Sequence, residues 1–181
     1  MNATIYIATS LDGFIARPDG DIDWLPTGGG AAGEDYGYNA FMKTVDVIIM
    51  GSGTYEKVLT FGEWPYTKPV AVLTSRQLSA PPASTAAVEM LSGSPRDVVD
   101  RLTRRGMKHA YVDGGVTIQR FLKAGLIRRM IITRIPVLIG AGRPLFGPLA
   151  HDIRVHHVAT RAYSNGLVQS EYVIPPPPDE R

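Results

Sequence analysis

The sequence predicts a one-domain α/β protein with a mixed, mostly parallel sheet covered by helices. Three observations predict it. Apolar strand-like runs alternate with segments of helical periodicity, glycine-bearing corners join several of those strands to the helices that follow, and the C-terminal part closes on an Asn-Gly hairpin signal. Parallel neighbours need crossover connections, which the helices supply. The terminal hairpin makes the last part of the sheet antiparallel.

Size and composition fit this class. The chain has 181 residues, enough for one domain with a real core. The expected domain runs over 1–174, followed by a disordered Pro-rich tail, Pro175–Arg181. Hydrophobic residues make up 44% and charged residues 20%, which excludes intrinsic disorder over most of the length. A net charge of +2, from 19 basic and 17 acidic residues, argues against nucleic-acid binding by phosphate neutralisation. Cysteine is absent, which removes disulfides, thiolate metal sites and thiol nucleophiles together. His109, His151, His156 and His157 show no ligand spacing with nearby carboxylates, so no metal is expected. With neither a signal-type N-terminus nor a bilayer-length apolar run, the expected location is cytoplasmic, away from membranes.

Thr4–Thr9 is apolar and β-branched and runs into the Ser10–Gly13 turn signal, which predicts a first strand. A long loop over 17–33 follows, with Trp24 as its aromatic anchor. Tyr38, Phe41, Met42 and Val45 fall at i, i+3, i+4 and i+7, predicting a helix over 35–45, with Asp35 extending the same stripe backwards. Val47–Met50 and Pro69–Thr74 are continuous apolar runs of the kind buried on both faces of a sheet. A helix starts near Thr54, and Thr85–Leu91 is a candidate edge strand. Ser94 as N-cap, Pro95 at the first helical position and Gly106 beyond Arg105 frame another helix. Ala110–Val112 is a strand ending at Asp113–Gly115, and the helix after it stops at Gly125. Met130–Ile139 is a long strand candidate. Asp152–Ala159 and Leu167–Ile174 flank the Ser164–Gly166 hairpin.

Two corners offer a place for phosphate. Gly51, Ser52, Gly53 and Thr54 put glycines between a buried strand and a helix start, where bare backbone N–H groups favour an anion. Glu56 stands where the dinucleotide fingerprint has its third glycine, so this segment alone reads equally as a tight turn. Gly114, Gly115, Val116, Thr117 and Ile118 repeat the arrangement at a second strand end. Ligands of open α/β sheets bind beyond the carboxyl ends of the strands, so both corners and Thr74–Ser75–Arg76 are expected to face one crevice. Arg76 suits an adenosine-side phosphate, the plainer alternative being a solvated arginine in a turn.

Taken together and in order, Ser10–Ala16, Met50–Glu56, Val72–Arg76 and Asp113–Leu122 resemble the dihydrofolate reductase superfamily. The likeness is greatest to the reductase domain of riboflavin biosynthesis proteins, the C-terminal domain of the bifunctional deaminase-reductase. It implies a three-layer α/β/α fold, NADPH as hydride donor with NADH not excluded, and a homodimer. It also implies a cis peptide between Gly114 and Gly115, which costs about 2.5–4 kcal/mol outside proline. Two positions depart from the family pattern. Ser52 replaces a basic residue that helps hold the 2′-phosphate, leaving that task largely to Arg76. Phe14 stands where riboflavin-type reductases commonly have a basic residue for a phosphorylated ribosyl substrate.

The resemblance places Asp35 at the pterin-binding carboxylate of dihydrofolate reductases. On the buried stripe, desolvation raises its pKa and makes it a proton donor; as an alternative it caps the helix. Asp12 is the second acid candidate. Trp24 and Tyr55 are candidate substrate-lining aromatics, or else packing anchors. The expected activity is NADPH-dependent hydride transfer to a small pterin-like or ribosylaminopyrimidine-like substrate, as in 5-amino-6-(5-phosphoribosylamino)uracil reductase. The alternatives are a true dihydrofolate reductase and a non-catalytic NADP(H) sensor.

Overall fold

In the computed structural model, which describes residues 1–26, 34–81 and 86–176, eight strands form one sheet. The expected strand start at Thr85, the glycine-rich part of the first long loop and the tail beyond Pro176 lie outside the described residues.

The strands in chain order are β1 (Asn2–Ser10), β2 (Phe14–Ala16), β3 (Val47–Gly51), β4 (Val70–Leu73), β5 (Val88–Leu91), β6 (His109–Asp113), β7 (Ile127–Ile135), β8 (Arg143–Pro144), β9 (His156–Ala162) and β10 (Val168–Val173). The helices are α1 (Tyr38–Thr44), α2 (Ser52–Leu59), α3 (Pro95–Arg104) and α4 (Gly115–Lys123). The main sheet has the order β5-β4-β3-β6-β1-β7-β10-β9. From β5 to β7 all neighbours are parallel, and β10 is antiparallel to both β7 and β9. This is the mixed sheet of the dihydrofolate reductase-like fold. A separate two-stranded ribbon pairs β2 with β8.

Two apolar layers flank the sheet, and the strand alternation assigns them. Val47, Ile49, Ala110 and Val112 face one way and pack with Val98 and Leu102 of α3 and with Ile118 and Phe121 of α4. Ile48, Met50 and Tyr111 face the other way and pack with Phe41 of α1 and with Tyr55 and Val58 of α2. The central strands β3 and β4 are buried on both faces, which is why they read as unbroken apolar runs.

Local chemistry sets the helix ends. Ser94 and Asp97 form a reciprocal capping box at α3, with Pro95 in the first turn. Gly106 and Gly125 take φ values of 85° and 66°, and paired backbone bonds close both helices: Met107 N–H to Leu102 O and Gly106 N–H to Thr103 O, then Leu126 N–H to Phe121 O and Gly125 N–H to Leu122 O. In the hairpin only Gly166 takes the left-handed conformation, at φ 85°, so the turn is of the longer type with a glycine bulge.

Several boundaries differ from expectation. The first helix begins at Tyr38 rather than residue 35, because Tyr36 and Gly37 have φ values of 56° and 89°. The seventh strand is shifted towards the N-terminus, ending at Ile135 before Pro136. Among the described residues no helix is long and apolar enough to cross a membrane.

The capping box makes a direct prediction. Ser94→Ala loses about 1 kcal/mol of stability and lowers the thermal midpoint by about 2–4 °C. Scanning calorimetry checks it.

Candidate active site

Strands β3 and β6 are neighbours in the sheet, with Met50 paired to Asp113, so the corners that follow them stand side by side. Their chains then part. From β3 the connection runs through α2 on one face to β4, whereas from β6 it runs through α4 on the other face to β7. Such a divergence opens a crevice at the carboxyl ends of the strands. A cavity of about 920 Å³ occupies it, lined by Gly51–Thr54, Asp113–Thr117 and the loops around Ile15, Gly20 and Arg143.

The two corners have the same Gly-x-x-Thr spacing, and each glycine makes room for the other corner's threonine. A Cβ on Gly51 would stand 2.9 Å from Thr117 Oγ1, and a Cβ on Gly114 would collide with Thr54 Oγ1. Gly114 also needs φ 87°, which side chains rarely adopt. Both helices start without a side-chain cap, in contrast to α3. Their first N–H groups therefore present donors for an anion at one cavity wall. Gly53 has nothing within 4 Å of its Cβ position, so its backbone is open to a ligand. These features fit the pyrophosphate of a dinucleotide.

Other expected cofactor contacts are placed differently. Ile118 is fully buried against the core, so its side chain cannot reach a cofactor. Thr74, Ser75 and Arg76 lie beyond Leu73, which is the last residue of β4 and lines the cavity; they do not line it themselves. Arg76 donates to Glu56 Oε1 at 2.9 Å. The cis peptide is corrected as well: Gly114–Gly115 is trans, and the corner turns through the positive φ of Gly114 instead.

Both acid candidates are corrected. Asp35 precedes α1 and accepts from the N–H groups of Asn39 and Gly37, each at 2.9 Å. Those bonds hold its carboxyl below the usual range, the reverse of the desolvated donor expected from the stripe. Asp12 likewise sits low, through the Ser10 hydroxyl first and then the N–H groups of Gly140 and Ile139. With Gly140 N–H at 2.8 Å, Asp12 ties the loop after β1 to the loop after β7 and remains an ionised acceptor. Of the aromatic candidates, Tyr55 resolves as a packing anchor. Tyr55 is fully buried and donates to Ser79 O at 2.6 Å. Trp24 does not line the cavity, where its neighbours Ile22 and Leu25 do.

The carboxylate that the cavity does contain is Asp113. Period two on β6 places it on the Tyr111 side of the sheet, and it is the last residue before the Gly114 corner. Burial raises its pKa to about 6, and Gly114 N–H, at 2.8 Å from Oδ1, and the Tyr111 hydroxyl offset part of that rise. The effect is mutual: burial first, and then the Asp113 charge, raise Tyr38 to about 12 and push Tyr66 and Tyr111 up further. Tyr66 lines the cavity with Asp113. The sequence did contain a signal, an acidic residue at the end of an otherwise buried strand, but it read as part of the glycine turn.

Three cations also line the cavity: Lys57, Arg120 and Arg143. Lys57 Nζ is 3.3 Å from Asp21, and Arg143 packs its guanidinium on Gly20 while Nε donates to Pro18 O at 3.3 Å. Both tie the segment after β2 to the cavity wall.

Two predictions follow from this geometry. Gly114→Ala destabilises by about 1–3 kcal/mol because it must adopt a positive φ and displace Thr54, whereas Gly53→Ala is neutral or slightly stabilising; urea unfolding of both variants compares them. Asp113→Asn is more stable than the wild type above pH 6. Folded Asp113 binds its proton more tightly than unfolded Asp113, so the wild type loses stability as pH rises from about 4 to about 6. The difference in urea midpoint between the two proteins therefore closes as pH falls towards 4.

Comparison with known proteins agrees with this architecture. Residues 3–169 match the RibD C-terminal domain family. The uncharacterized protein YwjB of Bacillus subtilis (strain 168) is 37% identical over 173 residues, covering 93% of this chain and 95% of YwjB. A crystal structure from Shewanella sp. PV-4, of a protein provisionally assigned to riboflavin biosynthesis, superposes with a TM-score of 0.90 at 39% identity, covering 97% of this chain and 99% of that one. Dihydrofolate reductase from Enterococcus faecalis, solved with NADP(H), shares the fold at a TM-score of 0.62 and 16% identity, with 96% of each chain covered. The sheet order, the paired glycine corners and the extent of these matches place the chain in the RibD C-terminal domain family.

Proposed function

We propose that the protein is a reductase that uses a nicotinamide dinucleotide, NADPH or NADH, to reduce a pterin-like or ribosylaminopyrimidine-like substrate. The observation that carries this reading is the convergence of two uncapped helix starts and a carboxyl with a raised pKa on one cavity. The family membership and the NADP(H) complex of the Enterococcus dihydrofolate reductase support the same class of cofactor.

When bound, the dinucleotide supplies a hydride to an electrophilic carbon of a C=N-type bond. The chain's own residues supply position and the proton. Backbone N–H groups of Ser52, Gly53, Gly115 and Val116 bind the pyrophosphate, and Gly114 and Thr54 fix the distance between the two sets. Asp113 and Tyr66 hold the polar edge of the substrate. Asp113 would supply the proton that the nitrogen of that bond needs. A carboxyl with a pKa near 6 is partly protonated close to neutrality, which is where a general acid is effective. Ile15, Leu25 and Phe61 form the apolar walls that limit water.

Fluorescence titration with NADPH and NADH, then a panel of pterins and ribosylaminopyrimidines with the tighter cofactor, tests the assignment. Wild-type protein should bind a dinucleotide and oxidise it only when substrate is present. Asp113→Asn should keep cofactor affinity and lose about 10²–10⁴-fold in turnover. Wild-type turnover should fall as pH rises through about 6, and the residual activity of the variant should not. Tight dinucleotide binding without turnover on any substrate would favour a sensor instead.

A further inference from the structure

Tyr66 lines the cavity and is only 9% exposed, yet its hydroxyl makes no hydrogen bond with any described residue. By contrast, the Tyr55 hydroxyl donates to Ser79 O at 2.6 Å and the Tyr111 hydroxyl to Tyr6 O at 3.0 Å. Packing holds the Tyr66 ring in place. Trp64 meets it edge-on, with centroids 5.4 Å apart at 81°, and packs in turn on Tyr55 at 5.7 Å, in the layer that α1 and α2 cover. Buried polar groups are normally paired, so an unpaired hydroxyl opening on a cavity marks where a ligand atom belongs.

The hydroxyl stays a donor throughout the working pH range. Burial first, and then the charge of Asp113, keep it protonated well above the usual tyrosine range. Val58, Phe61 and Leu73 line the same cavity and bring no side-chain acceptor. Asp113, the one carboxyl in the described lining, accepts from Gly114 N–H and makes no bond to Tyr66. An acceptor oxygen on the ligand satisfies the hydroxyl. A ring amino group in the same place leaves the O–H unpaired among apolar side chains, which is the costly arrangement.

We infer that Tyr66 selects substrates with a ring carbonyl, donating to that oxygen, and discriminates against analogues that carry an amino group in its place. This rests on the reductase reading of the cavity and narrows its substrate class. Two pairs of probes test it: pterin against diaminopteridine, which replaces the ring carbonyl by an amino group, and diaminouracil against tetraaminopyrimidine, which replaces both carbonyls. Dissociation constants are measured by calorimetry on wild type and Tyr66→Phe, each saturated with the tighter dinucleotide. Phenylalanine keeps the ring and its packing against Trp64. In at least one pair the wild type should favour the oxo compound by about tenfold or more. Tyr66→Phe should weaken that compound by about five- to tenfold and change its amino counterpart less than about twofold. An equal change in both members of the pair, as a purely structural role gives, overturns the inference, and so does no change in either. A wild-type preference for the amino compounds, or binding of a dinucleotide but of none of the four probes, overturns this inference alone. Binding of neither NADPH nor NADH by the wild type overturns the reductase reading and this inference with it.

Discussion

The site depends on a reciprocal steric fit between two corners of the sheet. Gly51 leaves space for Thr117, and Gly114 leaves space for Thr54, so the starts of α2 and α4 are locked together although the helices lie on opposite faces. In the proposed reading the phosphate cradle is made by both corners together. Held at a fixed spacing by backbone and short side chains, they supply two sets of N–H donors without relying on flexible cations. A small shift at either corner would separate the sets, and the proposed hydride transfer relies on preorganised positioning of this kind.

The same junction explains why Asp113 has unusual chemistry. Its backbone carries the chain into the Gly114 corner, while its side chain is directed by β6 into the layer of Tyr38, Tyr66 and Tyr111. A carboxylate there loses water and gains only limited compensation, so it retains a proton to a higher pH than a surface aspartate. Asp12 and Asp35 show the opposite case: hydrogen-bond donors surround their carboxylates and keep them ionised. Three aspartates near glycine turns thus take different roles according to who donates to them.

Much of this architecture was legible in the sequence. The buried runs of β3 and β4, the Ser94–Pro95 start and the Gly106 and Gly125 stops are local signals, and local chemistry decided them. The glycine corners were legible as corners, but their mutual fit was not, because it depends on β3 and β6 being neighbours despite their separation in the chain. Asp35 misled because helical spacing is a property of the side-chain pattern, while the left-handed turn at Tyr36–Gly37 is a property of the backbone. The role of Asp113 is hidden for a related reason. Its significance lies in tyrosines contributed by α1, β6 and the segment before β4, whose convergence no single stretch of sequence displays. Likewise, the pairing of Arg76 with Glu56 joins a strand end to a helix, and neither segment displays it alone.

The central claim is that both corners bind one dinucleotide together, and backbone amide chemical shifts during an NADPH titration test it most directly. Ser52 and Gly53 at one corner and Gly115 and Val116 at the other should shift in concert, with a single dissociation constant. Shifts confined to one corner, or to neither, would contradict the shared cradle.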